Sequence, residues 1–217
     1  HMVAEVLNGE LHLMPRPKRR HTRSASALGA TLLNAFDRGI GGPGGWTILF
    51  EPELHLGPEP DILVPDIAGW REGRLVDTPG EDEAFLAVAP DWVCEVSSPR
   101  TAQIDRMKKV PIFRREQVAH VWIARPLERT VDVFRLAGVE YVLVGTFGGE
   151  DAVALEPFAE YPLSPVQAVG PGRQPADRRR VMGERRREAR RASPRMPASE
   201  LTTVVVVRGA TALTCPL

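Results

Sequence analysis

The segment from Pro90 to Phe113 constrains the fold of this chain more than any other. Residues 92–96 (WVCEV) form a short apolar run between Pro and Ser, which is typical of an interior strand, and Glu95 lies inside it. A buried carboxylate is costly unless it is paired or holds a metal ion. The pattern therefore predicts a functional Glu95; the alternative is a strand-end carboxylate that faces solvent or pairs with an arginine.

A helix is predicted directly after this strand. Residues 97–99 (SSP) break the strand, and Thr101 is a candidate N-cap for the segment that follows. Pro111 is expected to kink or end that helix. Asp105 and Lys109 lie four residues apart, so they share one helix face.

The N-terminal part of the chain predicts a hairpin and then a helix. Residues 3–14 alternate loosely around Asn8-Gly9, and this dipeptide between two such runs is a strong hairpin signal. Residues 21–36 carry apolar side chains at helical spacing, which indicates an amphipathic helix. His21, near its start, is interpreted as a capping or surface residue, with a contact near an active cleft as the alternative.

The next segments supply a connector and strands. Residues 39–45 (GIGGPGG) lack the Lys-Ser/Thr of a phosphate-binding loop, so they are interpreted as a helix stop and connector. Residues 46–56 alternate as a strand or hairpin arm does, with Glu53 and His55 on one face. We interpret this pair as solvent-facing, with a role in metal binding as the alternative.

The segments that follow residue 60 predict further strands, the last of which form an antiparallel meander. Asp61 heads an apolar strand that runs to Ile67, and an interior strand is predicted at residues 120–124. Two further strands, at 131–134 and 141–146, follow with a turn between them. Such a meander favours an antiparallel addition to a mixed sheet.

Composition divides the chain in two. Residues 164–200 contain ten arginines and four acidic residues, and they have almost no large apolar side chains. Arg208 adds one further charge, so a chain of net charge zero leaves −7 on residues 1–163. We predict a domain over 3–163 and a basic, low-complexity tail over 164–217, which is either solvated or an arm for nucleic acid. Divalent cations would have to offset part of the charge of an acidic domain that acts on nucleic acid.

The sequence gives no sign of a membrane or secretory protein. No run approaches the roughly 20 apolar residues that a membrane span needs, and no signal peptide is evident. The two cysteines, Cys94 and Cys215, lack the spacing of a zinc or redox site. Free thiols in a reducing cytoplasm are therefore expected.

A combination of motifs resembles one known family. The segments that carry the resemblance are Pro60–Val64, Ala89–Pro99, the residues Thr101, Asp105, Lys109 and Phe113, and His120–Ile123. They are similar to the Uma-two type restriction endonucleases of the PD-(D/E)XK nuclease superfamily, and the resemblance covers about residues 3–163. Three segments depart from the family pattern: residues 97–101 read SSPRT where Leu-Ser-Pro-Ser-Thr is usual, Phe113 stands where Tyr is usual, and Arg125-Pro126 stands where Asp-Pro is usual.

The resemblance implies both a fold and a site. The fold is of the α/β (α+β) class: a restriction-endonuclease-like mixed central sheet flanked by helices, with an N-terminal hairpin and a C-terminal β-meander. Asp61 matches the first acidic position and Glu95 the second. Ser97 occupies the usual lysine position, and Lys109 in the following helix takes its place.

The chemistry expected of such a site is metal-dependent hydrolysis. Asp61 and Glu95, on strands adjacent in space, would hold Mg²⁺ or Mn²⁺ together with the main-chain carbonyl of Val96. Lys109 would orient water or stabilise the transition state. Its alternative role is an ion pair with Asp105, and Lys108 is then the backup candidate.

Two functions follow from this resemblance. The first is a metal-dependent endonuclease that hydrolyses DNA phosphodiester bonds. The alternative is a catalytically inactive nuclease-fold module that binds nucleic acid or protein, since a fold does not fix a function. A homodimer is expected by analogy, because cutting two strands commonly takes two sites.

Overall fold

The structure is a computed structural model that describes residues 2–76, 84–97 and 105–170. Its strands form two sheets, and three short or medium helices accompany them within these residues. The strands are β1 (Met2–Leu7), β2 (Glu10–Pro15), β3 (Trp46–Phe50), β4 (Leu54–Leu56), β5 (Asp61–Leu63), β6 (Ile67–Arg71), β7 (Trp92–Val96), β8 (His120–Arg125), β9 (Thr130–Ala137) and β10 (Glu140–Gly148). The helices are α1 (Arg19–Leu32), α2 (Val110–Arg115) and α3 (Pro165–Val169); π-helical turns extend α1 over Leu33–Asp37 and precede α2 over Asp105–Lys109.

The larger sheet is the mixed sheet that the sequence predicts. Its six strands lie in the order β10-β9-β8-β7-β6-β3. The pair β7–β8 is parallel, and the other neighbouring pairs are antiparallel. The predicted fold class, with its buried central strand and its C-terminal meander, is therefore confirmed.

A second, four-stranded sheet has the order β2-β1-β5-β4. The predicted hairpin is its edge: β1 and β2 pair antiparallel, and the turn residues Asn8 and Gly9 have φ values of 52° and 77°. Both values lie in the left-handed region that the tightest hairpin turns require, which explains the Asn-Gly dipeptide. The pairing of β1 with β5 then joins residues more than fifty positions apart.

Two predicted strands are each divided between the two sheets. The single strand or arm expected over residues 46–56 is two strands, since Glu51 has φ 45° and the chain passes from β3 to β4 there. The strand expected from Asp61 to Ile67 is likewise divided into β5 and β6. Asp61 and Glu95 therefore lie on strands of different sheets, and the prediction that they hold one metal ion together stays a prediction.

Two hydrophobic cores lie on opposite faces of the larger sheet. The first contains Leu28 and Leu32 of α1, together with Trp92, Cys94 and Val96 of β7. The second lies between the two sheets and includes residues of α2. Val93 belongs to this second core, and because strand side chains alternate, Glu95 faces the same side.

The segment after β7 contains the predicted helix, but Pro111 does not end it. Pro111 lies in the first turn of α2, where the missing amide hydrogen is not needed for a helical hydrogen bond. The π-helical turn before it ends at Lys109. The predicted N-cap Thr101 lies outside the described residues.

The described chain continues into the segment that the sequence assigns to the tail. Helix α3 packs against α1, and the Ser24 hydroxyl donates a hydrogen bond to the carbonyl of Val169 at 2.6 Å. The proposed division at residue 163 is otherwise still a prediction, because residues 171–217 lie outside the described part. Within the described residues, the helices are all too short or too polar to cross a membrane.

Candidate active site

A buried lysine links the two sheets. Lys109 Nζ lies 3.2 Å from Glu95 Oε1 and 2.8 Å from Glu5 Oε1. Glu95 comes from β7 in the larger sheet, and Glu5 comes from β1 in the smaller one. All three side chains are almost fully buried, with Lys109 3% exposed. Two carboxylates therefore share one ammonium group in a site of low polarity, which leaves a formal charge of −1 on the trio.

Glu5 is the residue of this group that the sequence did not reveal. Its Oε1 also accepts a hydrogen bond from the Val64 amide at 2.8 Å. Its Oε2 is buried and has no hydrogen-bond partner among the described residues. A buried carboxylate oxygen without a partner is costly, so this oxygen marks a position where a water molecule would be stabilised.

Asp61 lies on the same face of the smaller sheet as Glu5, but it makes different contacts. In the antiparallel register Val6 lies opposite Ile62, so Leu7 lies opposite Asp61 and both acids face the core between the sheets. Asp61 Oδ2 accepts a hydrogen bond from Arg115 at 2.7 Å, and Oδ1 accepts one from the Asn8 amide. Asp61 thus joins the hairpin turn to α2.

A second aspartate lies directly beside β7. Asp66 Oδ2 accepts a hydrogen bond from the Val96 amide at 2.7 Å, and Asp66 Oδ1 lies 2.6 Å from His21 Nε2. The β6–β7 register, which pairs Ile67 with Cys94, places Asp66 opposite Glu95 when it is continued by one residue. The His21 side chain is therefore partly buried beside Asp66 rather than at the surface, and its alternative role near an active cleft stays a prediction.

The pKa of the Cys94 thiol reflects the burial and the negative charge at this end of the larger sheet. Burial raises the pKa of the Cys94 thiol well above its ordinary value, and the nearby carboxylates of Asp66 and Glu95 raise it further. The thiol is therefore neutral at ordinary pH and is no candidate nucleophile. Asp66 and Glu95 are therefore both close enough to Cys94 to affect its pKa.

The remaining candidates whose side chains the structure describes, Lys108, Glu53 and His55, lie at or near the surface. Lys108 Nζ lies 2.7 Å from Glu10 Oε2 and 3.0 Å from His12 Nε2, so it contacts β2 rather than the buried group. The side chain of Asp105 lies outside the described residues, so its predicted pairing with Lys109 is untested. Glu53 Oε1 lies 2.8 Å from His55 Nε2, which satisfies this pair without a metal ion.

Glu95 and Asp66 have the carboxylate oxygens that a hard divalent cation requires. The Val96 carbonyl follows Glu95 in the chain. No group of three or more His, Cys, Asp or Glu side chains in the described ranges is arranged as a metal site. Mg²⁺ commonly binds one or two carboxylates and keeps several waters, so two acids and a carbonyl still fit this ion.

The sequence contained signals for the two acids that the prediction missed. Glu5 stands two residues before Leu7 in a predicted strand, so both side chains lie on the same face of that strand. An apolar Leu7 indicates that this face is buried. Asp66 follows Pro65 just as Asp61 follows Pro60, and both dipeptides precede apolar strands. The pairing of β6 with β7 brings Asp66 next to the strand that carries Glu95, which the sequence alone does not show.

Comparison with known proteins relates the chain to nucleases. A family model described as "Putative restriction endonuclease" matches residues 3–165, which is about three quarters of the chain. No curated protein matches the chain. Among solved structures, a putative nuclease belonging to DUF820 from Anabaena variabilis is similar with a TM-score of 0.62 and 24% identity. That match covers 76% of this chain and 89% of the other, and at this identity it shows the fold alone.

Proposed function

The chain belongs to the Uma2 family of putative restriction endonucleases, and we propose that it is a metal-dependent endonuclease that hydrolyses DNA phosphodiester bonds. The observation that carries this proposal is the buried Lys109 held between Glu95 and Glu5. Phosphodiester hydrolysis requires an activated water and stabilisation of negative charge on the phosphate. The site offers acids for a cation and an ammonium group for the phosphate.

The proposed cation is Mg²⁺ or Mn²⁺, held by Glu95, the Val96 carbonyl and one aspartate. When bound, such an ion lowers the pKa of a coordinated water and polarises a phosphate oxygen. Asp66 is the aspartate that the geometry favours, because it hydrogen-bonds the Val96 amide and lies opposite Glu95. Asp61, which the family resemblance indicates, lies on the smaller sheet. Its charge is balanced there by an ion pair with Arg115 of α2.

Lys109 would act on the phosphate rather than on the cation. Its ammonium group is fixed beside Glu95 by burial and by two carboxylates, so little reorganisation is needed when substrate charge develops. A phosphate oxygen that gains charge in the transition state would be stabilised by this ammonium. His21, partly buried against Asp66, would fix the orientation of that carboxylate.

The proposal is tested by metal titration and DNA cleavage of matched asparagine and glutamine variants. Calorimetry would follow Mn²⁺ binding to the wild type, Glu95→Gln, Asp66→Asn and Asp61→Asn. We expect Glu95→Gln and Asp66→Asn to abolish both Mn²⁺ binding and cleavage, because each removes a proposed ligand. We expect Asp61→Asn to retain Mn²⁺ binding, because its contacts are with Arg115 and the hairpin turn.

Two results would change this assignment. Loss of Mn²⁺ binding in Asp61→Asn but not in Asp66→Asn would restore Asp61 as the ligand. A wild-type protein that is folded and binds Mn²⁺, yet cuts no DNA with either metal ion, would support the inactive nuclease-fold module instead. The predicted homodimer is a separate question, which sedimentation of the wild type with and without DNA would answer.

A further inference from the structure

Two neighbouring lysines contact the same hairpin, but in different environments. Lys109 pairs with Glu5 of β1 inside the protein, whereas Lys108 pairs with Glu10 of β2 near the surface. The Lys109 side chain is 3% exposed and the Lys108 side chain is 34% exposed. The hairpin therefore contributes one acid to each lysine, and only the Glu5 contact reaches the candidate site.

We propose that Glu5 is a positioning residue that holds the Lys109 ammonium group in the site independently of Glu95. Lys109 lies 2.8 Å from Glu5 and 3.2 Å from Glu95, so the hairpin carboxylate makes the shorter of these two contacts. Glu5 is itself fixed, because its Oε1 accepts the Val64 amide hydrogen bond within the smaller sheet. Its place on the β1 backbone is set by pairing with both β2 and β5.

The need for a second carboxylate follows from charge. A divalent cation on Glu95 would take up much of the negative charge that attracts Lys109, and it would repel the ammonium group directly. Glu5 supplies a carboxylate from the opposite sheet that is not required for the cation. Lys109 then remains in place while Glu95 binds the metal ion.

The anchoring of Lys109 and its use in hydrolysis are separable. That Glu5 fixes Lys109 depends only on the contacts of these side chains. That the fixed ammonium serves phosphodiester hydrolysis rests on the proposed function. The experiment therefore measures the position of Lys109 first, without metal ion or DNA.

Acylation of lysines, read by mass spectrometry, reports that position. The chain contains three lysines, so labelling by an N-hydroxysuccinimide ester gives a simple pattern: Lys18 is exposed, Lys108 is partly exposed and Lys109 is buried. In the wild type we expect labelling at Lys18 and Lys108 and protection at Lys109. Fragment ions that separate residues 108 and 109 distinguish the adjacent pair.

Glu5→Gln is expected to raise Lys109 labelling severalfold and leave Lys18 labelling unchanged. Glu10→Gln is the matched control on the same hairpin, and it should raise labelling at Lys108 alone. Glu5→Asp keeps the charge on a shorter side chain, so it should restore part of the protection, which a purely steric role would not predict. Circular dichroism confirms that each variant is folded, and Glu5→Asp provides the test if Glu5→Gln does not fold.

Metal binding and kinetics then separate positioning from ligation. Glu5→Gln should still bind Mn²⁺, unlike Glu95→Gln, and should lower kcat more than it changes KM for DNA. Protection of Lys109 in folded Glu5→Gln equal to that of the wild type would overturn the inference. Loss of Mn²⁺ binding in Glu5→Gln would also overturn it, because Glu5 would then be a ligand. A wild type that cuts no DNA, with the labelling pattern as expected, would refute the proposed function and leave the anchoring intact.

Discussion

At the scale of single residues, His120, partly buried at the start of β8, is expected to make the stability of the protein depend on pH. Burial lowers the pKa of His120 from its ordinary value of 6.5, although Glu156 opposes this effect. Its Nδ1 is buried and has no hydrogen-bond partner among the described residues. The folded protein therefore binds a proton at His120 less readily than the unfolded chain does, and this residue favours folding at higher pH.

The expected result is a loss of stability as the pH falls below about 6.5, where His120 begins to bind a proton in the unfolded chain. Urea unfolding at pH 7.5 and pH 5.5 would measure it in the wild type and in His120→Gln. Gln cannot bind the proton, so the variant should lose less stability between these two pH values. Equal losses in the two proteins would show that other groups account for the pH dependence.

Residue-scale reasoning from the sequence identified part of the candidate site. Glu95 could be singled out because an acid inside an apolar strand is visible in the local pattern, whereas Lys109 is indicated by the family resemblance. The structure brings these two side chains together. Glu5 and Asp66 depend on contacts between distant segments, and no local pattern distinguishes Asp66 from Asp61.

At the scale of elements, the glycine-rich connector after α1 ends that helix by close packing. The Gly44 amide donates a hydrogen bond to the carbonyl of Ala35 at 2.9 Å. A Cβ added to Gly42 would lie 2.6 Å from the Ala35 carbonyl oxygen and 2.7 Å from its Cα. These are backbone atoms of the helix end, so they cannot move aside as a flexible side chain would.

Gly42→Ala is expected to destabilise the protein by about 1–3 kcal/mol, the usual cost of overpacking. Gly41→Ala is the matched control: its added Cβ would meet nothing within 4 Å, although Gly41 has φ +73°. Gly41→Ala should lower the free energy of unfolding by only about 1 kcal/mol, the cost of holding a residue with a Cβ at positive φ. Urea denaturation compares the two variants, and a Gly41→Ala variant that is the less stable of the two would contradict the packing argument.

The same scale explains which elements the sequence predicts well. The hairpin, α1, β7 and the meander depend on local periodicity and turn residues, and the structure contains each of them. The smaller sheet is different, because β5 has three residues and pairs with β1 from the start of the chain. Strands this short carry almost no periodic signal, so their sheet is defined by the tertiary structure alone.

At the scale of the whole molecule, the question is where the folded domain ends. The match to the family ends at residue 165, but the described structure continues through α3 to Gly170. Val169 is fully buried and Val166 nearly so, and the Val169 carbonyl accepts the hydrogen bond from Ser24. We therefore expect α3 to belong to the domain that carries the site.

Two truncated chains test this expectation. A chain that ends at Ser164 loses the burial of both valines, at about 1.5–3 kcal/mol each, so it should be roughly 3–6 kcal/mol less stable than a chain that ends at Gly170. Urea unfolding of the two chains and of the 217-residue protein measures the difference. A solvated tail, as the sequence predicts, would add no contacts beyond Gly170, so we expect the chain that ends at Gly170 to match the full chain in stability. Equal stability of the two truncated chains would place the end of the domain before α3, and a full chain that is clearly the most stable would show that residues 171–217 contribute to the fold.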